Sequence, residues 1–137
     1  MIALPDEQLR QLLQNTRSIA IVGLSANESR PSYGVAKYLQ QHGYHIIPVN
    51  PAYDEVLGQK CYPDLRSIPE AVDMVDVFRK PEDVLPLVAD AAAIGAKSFW
   101  MQLGVINQEA ARQAETAGLK VVMDRCVKIE HARLLGR

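Results

Sequence analysis

The sequence predicts a single α/β domain in which helices cover both faces of a doubly wound, mainly parallel sheet of five or six strands. Short apolar runs, such as residues 18–24, alternate with amphipathic segments, and such runs are typical of parallel strands buried on both faces. Gly43, Gly95 and Gly118 each follow a helical segment and precede a strand, where helices need a left-handed C-cap. Repeated units of helix, glycine and strand imply right-handed crossovers and therefore a Rossmann-like domain.

The elements are expected in a regular order along one domain spanning residues 1–137, with a leading helical segment over residues 1–16. The 137 residues match the usual size of one domain, and 48% of them are hydrophobic, enough for a core. Helices are expected over 5–15, 32–42, 81–94, 107–118 and 127–135. Strands are expected over 18–24, 44–49, 74–78, 98–103 and 119–123. Residues 60–62 are expected to add a short strand, and residues 69–72 a helical turn.

Composition excludes several classes of protein. The chain has 15 Lys and Arg against 16 Asp and Glu, a net charge of −1, so bulk charge indicates neither a nucleic-acid nor a membrane partner. No apolar run reaches the length of a membrane span. Cys61 and Cys126 are too few for a disulfide framework, and free thiols suit a cytoplasmic location. His42, His45 and His131 show no metal-ligand spacing.

The residues that follow the strands are the candidate functional residues, because open parallel sheets bind ligands outside the carboxyl ends of their strands. Arg30, Arg79, Lys80 and Arg125 all fall at this edge and predict a local cationic rim. Arginine forks and helix N-termini suit phosphate groups, so a phosphorylated ligand is expected. The alternative is that these cations form surface salt bridges with Asp83, Asp124 or Glu28.

The motifs disfavour a nicotinamide dinucleotide. In the fingerprint G-x-G-x-x-G only Gly23 is present, with Ser25 and Glu28 at the other two positions, and the second strand ends in Asn50-Pro51 rather than in an acidic residue. No nucleophile and base form a recognisable catalytic pair. His42 and His45 are expected to be structural, and His131 is expected on the surface.

The residues after the strands also carry a family resemblance. They are Gly23-x-Ser25-x-Asn27-x-x-Arg30-Pro31-Ser32-Tyr33, Pro48-Val49-Asn50-Pro51, Asp76-Val77-Phe78-Arg79, Trp100-x-Gln102-Leu103-Gly104 and Asp124-Arg125-Cys126. This series resembles the stand-alone CoA-binding protein family, whose single Rossmann-like domains are similar to the N-terminal domain of the succinyl-CoA synthetase α subunit. The resemblance covers roughly residues 15–130.

The resemblance implies that coenzyme A is the ligand. By position, residues 23–27 match the turn around the CoA phosphates, Asn50-Pro51 a loop near the adenosine, and residues 78–80 the contact with the nucleotide and the start of the pantetheine. The sequence departs from the family in lacking a glycine-rich turn and the synthetase's second domain. The expected ligand-binding residues are Gly23, Leu24, Ser25, Ala26, Asn27, Arg30, Pro31, Ser32, Tyr33, Asn50, Pro51, Phe78, Arg79, Lys80, Gly104 and Arg125.

The function expected from these observations is a cytoplasmic CoA- or acyl-CoA-binding protein without catalysis of its own. Two alternatives remain open: a small NAD(P)- or acyl-CoA-dependent enzyme, and an interaction subunit of a larger complex. Cys126 adds a narrower hypothesis. Beside Arg125 it could form a mixed disulfide with the CoA thiol, although a plain structural role after the strand is favoured.

Overall fold

The computed structural model describes residues 3–136, which contain five α-helices and seven strands. The helices are α1 (Asp6–Asn15), α2 (Pro31–Gln41), α3 (Leu85–Ala93), α4 (Gln108–Thr116) and α5 (Val127–Leu135). The strands are β1 (Ser18–Val22), β2 (His45–Val49), β3 (Glu55–Val56), β4 (Gln59–Lys60), β5 (Met74–Val77), β6 (Ser98–Met101) and β7 (Lys120–Val122). Within this part of the chain, no helix combines the length and apolar character that crossing a bilayer demands.

Five of the strands form one parallel sheet in the order β2-β1-β5-β6-β7, and β3 and β4 form a separate antiparallel hairpin. The predicted parallel α/β class is therefore confirmed. The chain moves outward from β1 to β2 and then returns to the other side of β1 to place β5. The topological switch point consequently lies between β1 and β5, where ligands of open α/β sheets bind.

Helices cover both faces of the sheet, as predicted. One face packs against α1, α2 and α5, and the other against α3 and α4. The leucine stripe expected in the leading helix is buried at Leu9, Leu12 and Leu13. The face under α3 and α4 is built of smaller residues, including Val88 and Ala111. Burial of these two apolar surfaces supplies the main stabilisation of the fold.

The helix caps form at the residues that the sequence indicates. Gly43, Gly95 and Gly118, which each lie between a helix and the next strand, have positive φ values of 91°, 77° and 92°. The Asn107 side chain caps α4 by accepting a hydrogen bond from the Ala110 amide at 2.9 Å. Such caps satisfy backbone groups that a helix leaves free at its ends.

The structure corrects the expected helical turn over residues 69–72. The turn instead lies at Leu65–Ser67 and is a short 3-10 helix. Asp64 precedes it, and the Asp64 carboxylate accepts hydrogen bonds from the amide of Ser67 at 2.9 Å and from its hydroxyl at 2.8 Å. An aspartate whose carboxylate accepts a hydrogen bond from the amide three residues later is a strong N-cap. This cap favours the turn at Leu65–Ser67.

Other elements differ from the expectation mainly in their bounds. The helix expected over 81–94 begins as a 3-10 turn at Pro81–Asp83 and becomes α-helical only at Leu85. Pro86 explains the late start, because it has no amide to donate to a preceding turn and is tolerated only at a helix N-terminus. The short strand expected over 60–62 is divided. Its first part belongs to β4, and Tyr62 forms an isolated parallel bridge with Val49.

His131 is buried, so the expected surface position was wrong. His131 lies on α5 and its side chain packs against α2. There its Nδ1 lies 2.8 Å from the Tyr38 hydroxyl. The rings of Tyr38, His42 and Tyr44 surround it edge-on. Burial, followed by the nearby His42, lowers the pKa of His131. His131 therefore belongs to an aromatic cluster at the opposite edge of the sheet from the strand carboxyl ends.

Candidate functional site

A cleft of about 450 Å³ opens at the carboxyl ends of β2, β1, β5 and β6, beside the switch point. We call it the switch-point cleft. Its lining residues are Gly23, Ser25, Arg30, Pro31, Ser32, Asn50, Tyr53, Phe78, Arg79, Lys80, Gln102, Leu103 and Val105. Its volume is within the range of small-molecule sites, and its position is the one that sheet topology favours.

The closest backbone contact in the cleft joins the ends of β1 and β5. Gly23 has φ of +84°, and a Cβ atom placed on it would lie 2.1 Å from the Phe78 carbonyl oxygen. The Phe78 amide donates to the Val22 carbonyl at 2.8 Å, and the Gly23 amide donates to the Val49 carbonyl at 2.9 Å. Gly23 therefore lets three strand ends meet at the floor of the cleft without a side chain between them.

The loop between β1 and α2 is held by its own short polar side chains. The Ser25 amide donates to Ser32 Oγ at 3.1 Å, and the Asn27 amide donates to Ser25 Oγ at 3.0 Å. Asn27 Oδ1 accepts from the amide and the hydroxyl of Ser29 at 3.0 and 2.8 Å. Because the amides of Ser25 and Asn27 already have partners, the side chains of the cleft offer the more available groups for an anion.

Three cations line the switch-point cleft. Arg30 precedes α2, and Arg79 and Lys80 follow β5. All three are exposed, and none of them forms an ion pair with any residue in the 3–136 range. The salt bridges considered from the sequence, to Asp83, Asp124 or Glu28, are not formed there. No Asp or Glu appears among the described lining residues, so the field in the cleft is positive.

Arg125 lies apart from these three cations. Its Nη1 is 3.1 Å from Glu130 Oε1, and the pair lines a neighbouring cleft together with Cys126. The segment is fixed by the Arg125 carbonyl, which accepts from Trp100 Nε1 at 2.8 Å. Asp124 Oδ1 accepts from the Gly104 amide, also at 2.8 Å. The sequence predicts all four cations at the edge formed by the strand carboxyl ends. In the structure three of them line the switch-point cleft, and the fourth, Arg125, is paired with Glu130.

Six other expected residues do not line the cleft. Leu24 is fully buried, Tyr33 is partly buried, and Ala26, Asn27, Pro51 and Gly104 are exposed outside the lining.

Asn50 lines the cleft and also joins two loops through hydrogen bonds. Its Nδ2 donates to the Leu24 carbonyl at 3.0 Å, and its Oδ1 accepts from the Ala52 amide at 2.9 Å.

The ligand-binding residues expected from the sequence omit four that line the cleft: Tyr53, Gln102, Leu103 and Val105. Gln102 is buried, and its Oε1 accepts from the Val127 amide at 3.1 Å, which fixes the start of α5 beside the cleft. A signal for Gln102 and Leu103 was available, because both directly follow β6. Tyr53 lies beyond β2 in an irregular loop and comes within 3.5 Å of Ser25 Oγ.

The cleft contains few groups for acid–base or metal chemistry. No His or Cys appears among its described lining residues, and no cluster of three metal-ligating side chains occurs within residues 3–136. Its polar groups are cations, hydroxyls and carboxamides. This arrangement defines a Rossmann-like domain with a cation-lined cleft at its switch point.

Comparison with known proteins gives the family. A family model described as a CoA binding domain matches residues 17–132, and the chain belongs to this family of CoA-binding domains. The uncharacterized protein YneT of Bacillus subtilis is 40% identical over 125 residues, covering 91% of this chain and 93% of YneT. The ADP-forming acetate–CoA ligase II of Archaeoglobus fulgidus is 33% identical over 82% of this chain, which corresponds to 16% of the ligase.

Solved structures support the same assignment. A hypothetical protein from Pyrococcus horikoshii OT3 has a TM-score of 0.94 at 46% identity, with 97% of this chain and 94% of that chain covered. A dinucleotide-forming acetyl-coenzyme A synthetase of Ca. Korarchaeum cryptofilum has a TM-score of 0.73 at 26% identity, covering 83% of this chain and 27% of the synthetase. The fold therefore occurs both in small proteins and as one part of larger synthetases.

Proposed function

We propose that the chain binds coenzyme A in the switch-point cleft. The observation that carries the proposal is the grouping of Arg30, Arg79 and Lys80, none of which forms an ion pair within residues 3–136, around a cleft in a member of the CoA-binding domain family. CoA carries a diphosphate and a 3′-phosphate. Three cations at the cleft offset much of the cost of removing these phosphates from water, and arginine contributes paired hydrogen bonds.

The family resemblance gives the bound molecule a direction along the cleft, because it assigns Asn50-Pro51 to the adenosine end and residues 78–80 to the start of the pantetheine. Asn50 follows β2, Gly23 follows β1, Phe78 follows β5 and Leu103 follows β6, so these residues lie along the cleft in the order of their strands. In the proposed arrangement the adenosine lies toward Asn50 and the phosphates lie between Gly23 and Arg79. The pantetheine arm then runs past Phe78 toward Leu103.

The proposed role is binding without catalysis. The described lining offers hydroxyls at Ser25, Ser32 and Tyr53, but no histidine or carboxylate to act as their base. The relatives named acetate–CoA ligases are several times longer than the stretch that matches this chain. A ligase reaction is therefore not part of the proposal, and CoA or a CoA thioester is the expected ligand.

Calorimetric titration with CoA tests the proposal. We expect Arg79→Ala to weaken binding by about 1.5–3 kcal/mol, because a hydrogen bond to a charged group contributes about this much. Arg112→Ala is the matched control. Arg112 is an exposed arginine paired with Glu109 on α4, outside the cleft, and its removal changes the net charge equally. Equal effects of the two substitutions would show that only overall charge matters and would contradict the site.

Three further ligands test the specificity. Dephospho-CoA lacks the 3′-phosphate, and weaker binding than that of CoA is expected if a cation of the cleft contacts this group. NADH and NADPH test the remaining enzyme hypothesis, and neither is expected to compete with CoA. Failure of CoA itself to bind below millimolar concentration would overturn the proposed function.

A further inference from the structure

A second cleft of about 450 Å³ lies directly beyond Leu103. We call it the Ile129 cleft; it is lined by residues that follow β6 and β7, by the first turn of α5, and by Ala3. Leu103 lines both this cleft and the switch-point cleft, so the two adjoin at this side chain. The end of the proposed pantetheine path therefore lies beside a second concave surface.

The Ile129 cleft exposes aliphatic side chains. Within residues 3–136 the exposed large hydrophobic residues are Leu103 at 65%, Ile129 at 55% and Ile106 at 48%. Two of these three line the Ile129 cleft, and Met123 is partly buried beside them. A single exposed aliphatic side chain is ordinary, but adjacent ones in a cleft that continues a ligand site indicate a surface for an apolar group.

The charged groups in the Ile129 cleft already have partners. Arg125 pairs with Glu130, and Glu130 also pairs with Arg133 at 2.7 Å. Asp124 accepts a hydrogen bond from the Gly104 amide. Because Arg125 and Glu130 are paired within the protein and Asp124 accepts from a backbone amide, an apolar group that enters the cleft separates no ion pair.

A hydrogen bond joins the two chain segments that carry the aliphatic side chains. The Val127 amide donates to Gln102 Oε1, which joins the start of α5 to the segment that carries Leu103. Ile129 lies in the first turn of that helix. Because the two segments are already joined, little backbone ordering is needed when the cleft binds a flexible group.

We infer that the Ile129 cleft is an acyl subsite, which takes the aliphatic chain of an acyl-CoA thioester whose CoA portion occupies the switch-point cleft. The inference rests on the proposed function, because the direction of bound CoA brings the thioester to Leu103. It selects aliphatic acyl-CoA over free CoA as the preferred ligand. In the proposed complex the cations of the switch-point cleft bind the phosphates, and Leu103 and Ile129 contact the acyl chain.

Calorimetric titration with CoA, acetyl-CoA, hexanoyl-CoA and octanoyl-CoA, below their micelle-forming concentrations, tests the inference. Affinity is expected to rise with chain length, with octanoyl-CoA binding at least about tenfold more tightly than CoA, which corresponds to the burial of about two methylene groups. The wild-type series needs no variant and therefore does not depend on any substitution folding correctly. Equal affinities for CoA and octanoyl-CoA would overturn the acyl subsite and leave the CoA site standing, whereas absence of all binding would overturn both.

A pair of variants locates the subsite. Ile129→Ser is expected to lower octanoyl-CoA affinity roughly three- to tenfold and to leave CoA affinity unchanged. Ile106→Ser removes a similarly exposed isoleucine that lines neither cleft, and it is expected to change neither affinity. Equal losses in the two variants would place the acyl chain outside the Ile129 cleft and overturn the assignment.

A second copy of the chain is the competing occupant of this surface. Sedimentation of wild type and Ile129→Ser at the titration concentrations distinguishes it. A monomer in both cases is expected, and it leaves the cleft open to the acyl chain. A wild-type dimer that dissociates in Ile129→Ser would show that the aliphatic surface is a protein interface, and this result would overturn the subsite.

Discussion

Gly23→Ala is expected to destabilise the protein by roughly 2–5 kcal/mol and to remove CoA binding. The new Cβ atom would lie 2.1 Å from the Phe78 carbonyl oxygen and 3.1 Å from its carbonyl carbon, which are backbone atoms of the central strand's end. Overpacking typically costs about 1–3 kcal/mol, and a non-glycine residue at positive φ adds strain of about 1–3 kcal/mol. Relief requires β1 and β5 to separate at the floor of the cleft.

Gly43→Ala provides the matched control for this prediction. Gly43 has φ of +91°, close to the +84° of Gly23, but a Cβ atom on Gly43 meets nothing within 4 Å. Urea unfolding of the two variants therefore separates backbone strain, common to both, from the steric clash, present only in Gly23→Ala. Similar losses of unfolding free energy in the two variants would contradict the proposed close approach of the strand ends.

Asp76→Asn is expected to reduce a pH dependence of stability that a buried carboxyl group imposes. Asp76 is fully buried in β5, between Ile21 of β1 and Trp100 of β6. Neither carboxyl oxygen has a well-formed hydrogen bond within the described residues. Burial raises the pKa of Asp76 well above its ordinary value, and the nearby Val77 amide lowers it only in part. The folded protein therefore keeps this group as the neutral acid to a higher pH than the unfolded chain does.

The direction of the effect follows from proton binding. Above the ordinary carboxyl pKa of 3.8 the unfolded chain releases the Asp76 proton, whereas the folded chain keeps it up to the raised pKa. The contribution of Asp76 to stability is thus greatest at acid pH. It falls by about 1.4 kcal/mol for each pH unit as the pH rises between these two values. Asparagine has no proton to release, so this slope should vanish in Asp76→Asn.

Urea unfolding of wild type and Asp76→Asn at pH 5, 6, 7 and 8 measures the slope. The difference in unfolding free energy is expected to move in favour of the variant as the pH rises, and to level off once the folded-state pKa is passed. Asp83→Asn removes an exposed carboxylate without altering the core, and it should keep the wild-type slope. Parallel pH profiles for wild type and Asp76→Asn would contradict a neutral Asp76.

The sequence predicted the fold class and most of the elements because these depend on local patterns. The apolar run of β1, the leucine stripe of α1 and the glycine after α2 each show their structure within a few residues. The predictions were wrong where a side-chain contact, or a contact between residues far apart in the chain, determines the local structure. The turn at Leu65–Ser67 depends on the Asp64 cap, and the burial of His131 depends on the packing of α5 against α2.

The sequence predicted where the candidate site lies, but it did not predict which of the cations there are unpaired. Any residue that follows a parallel strand reaches the same sheet edge, so Arg30, Arg79, Lys80 and Arg125 could all be assigned to it. Whether a cation at that edge is available for a ligand depends on its neighbours. Glu130 lies on the helix after β7 and pairs with Arg125, whereas the other three cations meet no carboxylate in the described part of the chain.

By itself the sequence determined a parallel α/β domain with a cationic edge and no recognisable catalytic pair. Only the tertiary structure decided that the floor of the cleft is the contact between Gly23 and Phe78 and that Asp76 is sealed between Ile21 and Trp100. Both follow from the insertion of β5 between β1 and β6 in the sheet. Strand order brings together residues that are far apart in the chain, and no local periodicity encodes the partner that each strand receives.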